Sequence, residues 1–155
     1  MVTTSANNHP HLTDHKSYYY RFRVNKKPSE LFNFLLDINN WWVGIFDETI
    51  TGDSTKLNEE FTFAAGGGMH YSKYKLVSLV PNQKMVWEVI DSKLSFLEAP
   101  DEWTGTTMGF ELEAQDGATQ VTFAHFGLVP QFECYDRCTS AWTLYMDKLV
   151  QLVTH

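Results

Sequence analysis

Only two cysteines occur among the 155 residues, and no apolar run approaches the roughly 20 residues that a membrane-spanning helix needs. The first scarcity sets aside a disulfide-framed secreted scaffold, the second a helical membrane span. Basic residues are also few. Twelve Lys and Arg stand against 19 Asp and Glu, a net charge of −7 with no clustered basic stripe, which argues against nucleic acid or an anionic membrane surface as partner. Cys134 and Cys138 fall four apart on one face of a predicted helix, without the geometry a disulfide prefers, and read as small buried hydrophobes in a reducing compartment. Two thiols outside a Cys-x-x-Cys motif make neither a closed metal site nor a redox pair. The first residues hold no apolar h-region and no Arg-rich amphipathic stretch, so the cytoplasm is the expected location.

No dinucleotide fingerprint and no nucleophile elbow is present. Gly66-Gly67-Gly68 is flanked by strand-like segments and lacks a following Lys-Ser/Thr pair, so it reads as a turn where a phosphate loop would need a helix. No cofactor is expected. The polar residues 1–15 read as a flexible tail, and His9, His11 and His15 within it supply too few ligands to close a zinc site. Residues 16–155 read as one domain, long enough to bury a core without staples.

What the chain does have is rings. Five Trp, seven Tyr and 11 Phe make 15% of it, and each brings about 150–250 Å² of surface to bury. Tyr18, Tyr20, Phe22 and Val24 alternate with polar neighbours as in a half-buried strand, and Pro28 then opens an amphipathic helix carrying Leu31, Phe32, Leu35 and Leu36. Asn39-Asn40 breaks that helix, and Trp41-Trp42 follow in a second short turn. Strand-like segments come next at Glu48 to Thr51, Glu59 to Ala65, Met69 to Val80, Lys84 to Asp91, Thr104 to Ala114 and Ala118 to Phe126, the last two joined through Asp116-Gly117. From Phe132 to Val153 the period turns helical, with Cys134, Cys138, Trp142, Tyr145, Leu149 and Leu152 in one stripe.

A meander of antiparallel strands and one long amphipathic helix can satisfy each other if the sheet curves around the helix. Pro28-Ser29-Glu30-Leu31-Phe32, Trp41-Trp42, Pro81 to Trp87, Trp103-Thr104-Gly105-Thr106, Thr119 to Phe123, His125 to Leu128 and Trp142 stand in the order and spacing of a known superfamily. Over about Ser17 to Val153 the chain resembles START-like (SRPBCC) proteins, in the branch of homologues of the activator of the 90-kDa heat-shock protein ATPase. The resemblance implies an α+β helix-grip fold, with about seven antiparallel strands wrapped around the long C-terminal helix and one or two short helices after the first strand. It also implies a cavity between sheet and helix.

Alternation places Phe61, Phe63, Trp87, Phe110 and Phe123 on the concave wall of such a cavity, with Cys138, Trp142 and Tyr145 on the helix above it. His125 ends a strand on the same side as Phe123. These nine are the candidate ligand-binding residues, and a small hydrophobic molecule is the expected partner. The leading expectation is a non-enzymatic binding domain. Two rivals accompany it: an enzyme resembling polyketide cyclases, with His125 as acid or base, and a cochaperone-like module acting on a chaperone through its surface. Glu133, at the start of the last helix, is expected to sit favourably in the helix dipole. An exposed strand edge leaves room for a homodimer without demanding one.

Overall fold

A computed structural model describes residues 17–154, so His9, His11 and His15 lie outside the described residues. Strand β1 (Tyr18–Val24) leads into helix α1 (Pro28–Leu36), whose first turn is fixed by the Glu30 carboxylate accepting the Lys27 backbone N–H at 2.8 Å. A 3₁₀ turn, Ile38–Asn40, follows, with the Asp37 carboxylate accepting the Asn39 N–H at 3.1 Å. Six strands succeed it: β2 (Thr49–Gly52), β3 (Glu60–Ala65), β4 (His70–Val80), β5 (Lys84–Leu94), β6 (Thr107–Gln115) and β7 (Ala118–Phe126). Helix α2 (Tyr135–Val153) ends the described chain.

The strands form one antiparallel sheet in the order β1-β7-β6-β5-β4-β3-β2, so β1 closes back onto the last strand while the remainder run as a meander. This is the helix-grip architecture. Two register breaks in the β4–β5 ladder leave Val77 and Ile90 without a facing partner. Such bulges add twist and bend, and here they lie in the two longest strands, which curl the sheet toward α2.

The interior is a continuous mass of rings, with Trp41, Trp42, Trp87, Trp142, Tyr74, Phe61, Phe110 and Phe123 all essentially sealed from solvent. Trp41 meets Phe110 edge-on at 5.2 Å between centroids and Phe123 at 6.3 Å. Contacts of this kind contribute about 0.5–1.5 kcal/mol each beyond the area they bury. Helix α2 is anchored from β1, where the Tyr18 hydroxyl meets Thr143 Oγ1 at 2.7 Å and the Tyr20 hydroxyl donates to Asp147 at 2.6 Å. The buried stripe of α2 departs from its expected end: Leu152 is 42% exposed, whereas Met146 and Val153 are buried. At 3.6 residues per turn the inward face drifts, and by the last turn it has passed from position 152 to 153. No described helix is long and apolar enough to cross a membrane.

Candidate functional site

Successive turns of α2 present Cys138, Ala141, Trp142 and Tyr145 to the open end of the sheet, where they border a cleft of about 240 Å³. Trp42 is the hub of its aromatic wall, stacked on Phe63 at 3.9 Å and on Trp142 at 5.0 Å. Trp103 lies parallel to Trp142 at 6.1 Å on the other side. Ala65, Gly66, Met69 and Phe96 complete the floor and flank, and Phe46 and Arg137 stand at the rim. Gly66, Gly67 and Gly68 have φ of +62°, +69° and +90°, a left-handed run that side chains resist, so the turn beside the cleft needs its glycines.

Two histidines adjoin this wall, and burial suppresses the charge of both. His125 is fully buried. Its Nδ1 accepts the Trp142 indole N–H at 3.0 Å, so Nε2 carries the proton and donates to Thr106 Oγ1 at 2.8 Å. Thr106 passes the chain on to the Trp103 carbonyl at 2.6 Å. Burial, with a smaller contribution from nearby His70, pushes His125 down to about 3. His70 packs edge-on against Trp103 at 4.7 Å, and burial holds it at about 4. Ser72 Oγ donates to the Tyr74 hydroxyl at 2.8 Å, so His70 Nε2 must donate to Ser72 Oγ at 3.2 Å. That leaves Nδ1 of His70 as a lone-pair acceptor on a ring that borders the cleft.

A strap formed by residues 43–48 covers the rim. Glu48 accepts backbone N–H groups from Gly44 at 2.7 Å, Ile45 at 3.2 Å and Phe46 at 2.8 Å, and also the Tyr145 hydroxyl. Burial acts to raise Glu48, but these donors outweigh it and hold the carboxyl below its usual range. Burial, and after it the same contact, raises the Tyr145 hydroxyl. Lys148 adds a bond to the Val43 carbonyl at 2.6 Å, so one face of α2 ties the strap at two points.

At the opposite end, Cys134 and Cys138 form a disulfide. The expectation of two unpaired thiols is corrected: across the first turn of α2, where the Cys134 carbonyl accepts the Cys138 N–H at 2.8 Å, residues four apart bring their Cα atoms to 5.6 Å, inside bridging range. The argument from free thiols to a reducing compartment falls with it. Glu133 also differs from expectation. It precedes the helix, and its carboxylate accepts the N–H groups of Glu98 at 3.0 Å and Ala99 at 3.4 Å. Glu102 instead serves the helix start, accepting from Glu133 N at 2.7 Å and Cys134 N at 3.2 Å.

Of the nine residues expected to line a cavity, Phe63, Cys138, Trp142 and Tyr145 border the cleft. Phe61, Trp87, Phe110, Phe123 and His125 lie deeper, packed in the interior behind it. Sequence reasoning missed His70, Trp103 and Arg137 as site residues. His70 was accessible by parity, being two and four residues from inward-facing Ser72 and Tyr74. Phe46 and Phe96 are on turns, where no period assigns a face, and Met69, expected to begin a strand, lies in the turn before β4.

A second and larger concavity, about 650 Å³, lies on the outer face of the sheet and is bordered by Arg21, Lys84 and Glu111. It arises where Gly109 and Ala124 present little side chain, and a Cβ at Gly109 would stand 2.1 Å from the Met85 carbonyl. Charged, polar and apolar strand residues mix in this trough, Tyr19, Val86 and Phe126 among them, whereas the stacked tryptophans back the inner cleft.

The sequence profile of activator of Hsp90 ATPase homolog 1-like proteins matches residues 25–154. The chain belongs to this family. The solution structure of the Aha1 dimer from Colwellia psychrerythraea has a TM-score of 0.67 at 19% identity, over 89% of this chain and 96% of that one. The crystal structure of protein MLL2253 from Mesorhizobium loti has a TM-score of 0.68 at 17% identity, over 88% and 96%. The solution structure of protein BH1534 from Bacillus halodurans has 0.61 at 13%, over 88% and 96%. These likenesses establish for this Aha1-like domain the START-type fold expected of it. No curated protein matches the chain.

Proposed function

We propose that this Aha1-like domain is a non-enzymatic binder of a small hydrophobic ligand, which it holds in the cleft between α2 and the open end of the sheet. The carrying observation is the cleft itself: Phe46, Met69, Phe96 and Ala141 border an opening backed by the buried rings of Trp42, Phe63, Trp103 and Trp142, with a single imidazole acceptor and a single guanidinium at its border. Such apolar concavities with a few polar groups are the usual form of small-molecule sites. Against the cyclase-like alternative stands His125, whose two ring nitrogens are both committed to protein partners and whose depressed basicity makes it a poor proton acceptor near neutrality.

Calorimetric titration of the whole chain with naphthalene-2-carboxamide, an uncharged two-ring probe, tests the reading. Binding weakened at least tenfold by Ala141→Leu, which fills the cleft, is the expected result. Absence of heat, or equal affinity in a correctly folded Ala141→Leu protein, overturns it.

The cochaperone reading has the family name in its favour and no feature of the cleft. Self-association draws support from the Colwellia structure, which is described as a dimer, and from β2 being an edge strand of the described sheet. Sedimentation at micromolar concentration tests it: a mass twice that of the chain supports the dimer, a monomer mass opposes it.

A further inference from the structure

Arg137 is the one cation among the residues that border the cleft, and a purely apolar ligand leaves it unused. Its guanidinium lies 4.7 Å over the Phe96 ring and borders the opening. Among the described residues the ion pairs are Lys56–Asp53 and Lys73–Glu60, and Arg137 takes part in neither. The acid one turn before it on the same side of the chain, Glu133, has its carboxylate occupied by the backbone N–H groups of Glu98 and Ala99. Lys148, the other cation of this helix, is bound to the Val43 carbonyl. Arg21 lies likewise exposed over a ring, that of Tyr19, and is in neither ion pair, so what distinguishes Arg137 is its place at the border of the apolar cleft. Stacking of this kind also leaves its planar edge free for a carboxylate.

We propose that the cleft selects a small aromatic acid, its ring laid against the aromatic lining of the cleft and its carboxylate at Arg137. This rests on the binding reading above and specifies its ligand. The cleft's 240 Å³ falls below the roughly 300–1,000 Å³ typical of sites for drug-sized molecules, which limits the ligand to one or two rings. Its direction is set by His70. The lone pair of Nδ1 repels a carboxylate, so the charged end faces the exposed guanidinium and the ring edge faces the imidazole.

The test is calorimetry with a matched pair, naphthalene-2-carboxylate and naphthalene-2-carboxamide, on the parent chain and on Arg137→Gln. The expected result is a preference of roughly threefold to tenfold for the acid in the parent, in keeping with an exposed charge pair. The preference disappears in Arg137→Gln while the amide binds as before. Equal affinities for the two probes in the parent overturn the proposal and leave the hydrophobic-binder reading standing. A preference that persists in Arg137→Gln overturns the assignment to Arg137. Failure of the parent to bind either probe overturns both readings.

Discussion

The Trp142 indole N–H donates to Nδ1 of His125 at 3.0 Å, and this one bond fixes the tautomer of a fully buried imidazole. Because Nδ1 is the acceptor, Nε2 must donate, and Thr106 Oγ1 is placed 2.8 Å away to receive it. The longest helix, the last strand and the loop before β6 are thus joined through three side chains.

Replacing Thr106 by Val keeps its shape but leaves the Nε2 proton without an acceptor inside the core. Leaving a buried donor unmade costs about 1–3 kcal/mol, and urea denaturation is expected to show a loss of that size. Trp142→Phe strands the other nitrogen. Since both changes act through His125, the double variant is expected to lose less than the sum of the two.

The two suppressed histidines make stability pH-dependent. His70 and His125 have folded values of about 4 and 3 against an ordinary 6.5, so below pH 6.5 the unfolded chain takes up protons that the folded chain refuses. Their contribution is fully present above pH 6.5 and is lost as pH falls toward 4 and 3. At about 1.4 kcal/mol per unit, each removes on the order of 2 kcal/mol by pH 5. Denaturant midpoints measured from pH 7.5 to 5 are expected to fall, with a shallower slope in His70→Gln. An unchanged slope in that variant would show that His70 is protonated in the folded state.

The strap over the cleft depends on the Glu48 carboxylate. Glu48→Gln retains an acceptor but loses the charge on which the N–H groups of Gly44, Ile45 and Phe46 converge. Amide hydrogen exchange at these three positions is expected to speed up at least tenfold, with the β6 and β7 amides unchanged. Tyr145→Phe is expected to act at the same amides in the same direction.

Thiol titration checks the Cys134–Cys138 pairing. Unfolded without reductant, the chain is expected to show no reactive thiol, and after reduction two. The closed loop is short, so reduction is expected to remove about 2 kcal/mol or less. Two thiols before reduction would restore the cysteines to the role of separate small hydrophobes.

Element types and order were legible because the interior is lined by strict alternation. Phe61 and Phe63, Trp87 and Val89, and Val121 and Phe123 are each two apart and all buried. The cleft was less legible, for a physical reason. Alternation reports which side of the sheet a residue takes and not its depth along the strand. Phe63 and Phe123 therefore looked equivalent, although one borders the cleft and the other lies in packed core. Trp103, Phe96 and Phe46 come from connecting segments whose course is set by distant contacts, such as Glu133 holding residues 98 and 99. The disulfide was missed because a spacing of one helical turn reads as unsuited to a bridge, whereas the two Cα atoms stand 5.6 Å apart, within its range.

The five tryptophans offer the most direct test of the central claim, because the cleft divides them. Trp42, Trp103 and Trp142 border it, whereas Trp41 and Trp87 donate their indole N–H groups to the Leu35 carbonyl at 2.9 Å and the Ser54 carbonyl at 3.0 Å in the core behind. The measurement is the set of ¹H–¹⁵N indole resonances recorded as naphthalene-2-carboxamide is added. A saturable shift of the first three with the other two unmoved is the predicted result. No shift, or shifts led by Trp41 and Trp87, would contradict a ligand site in the cleft.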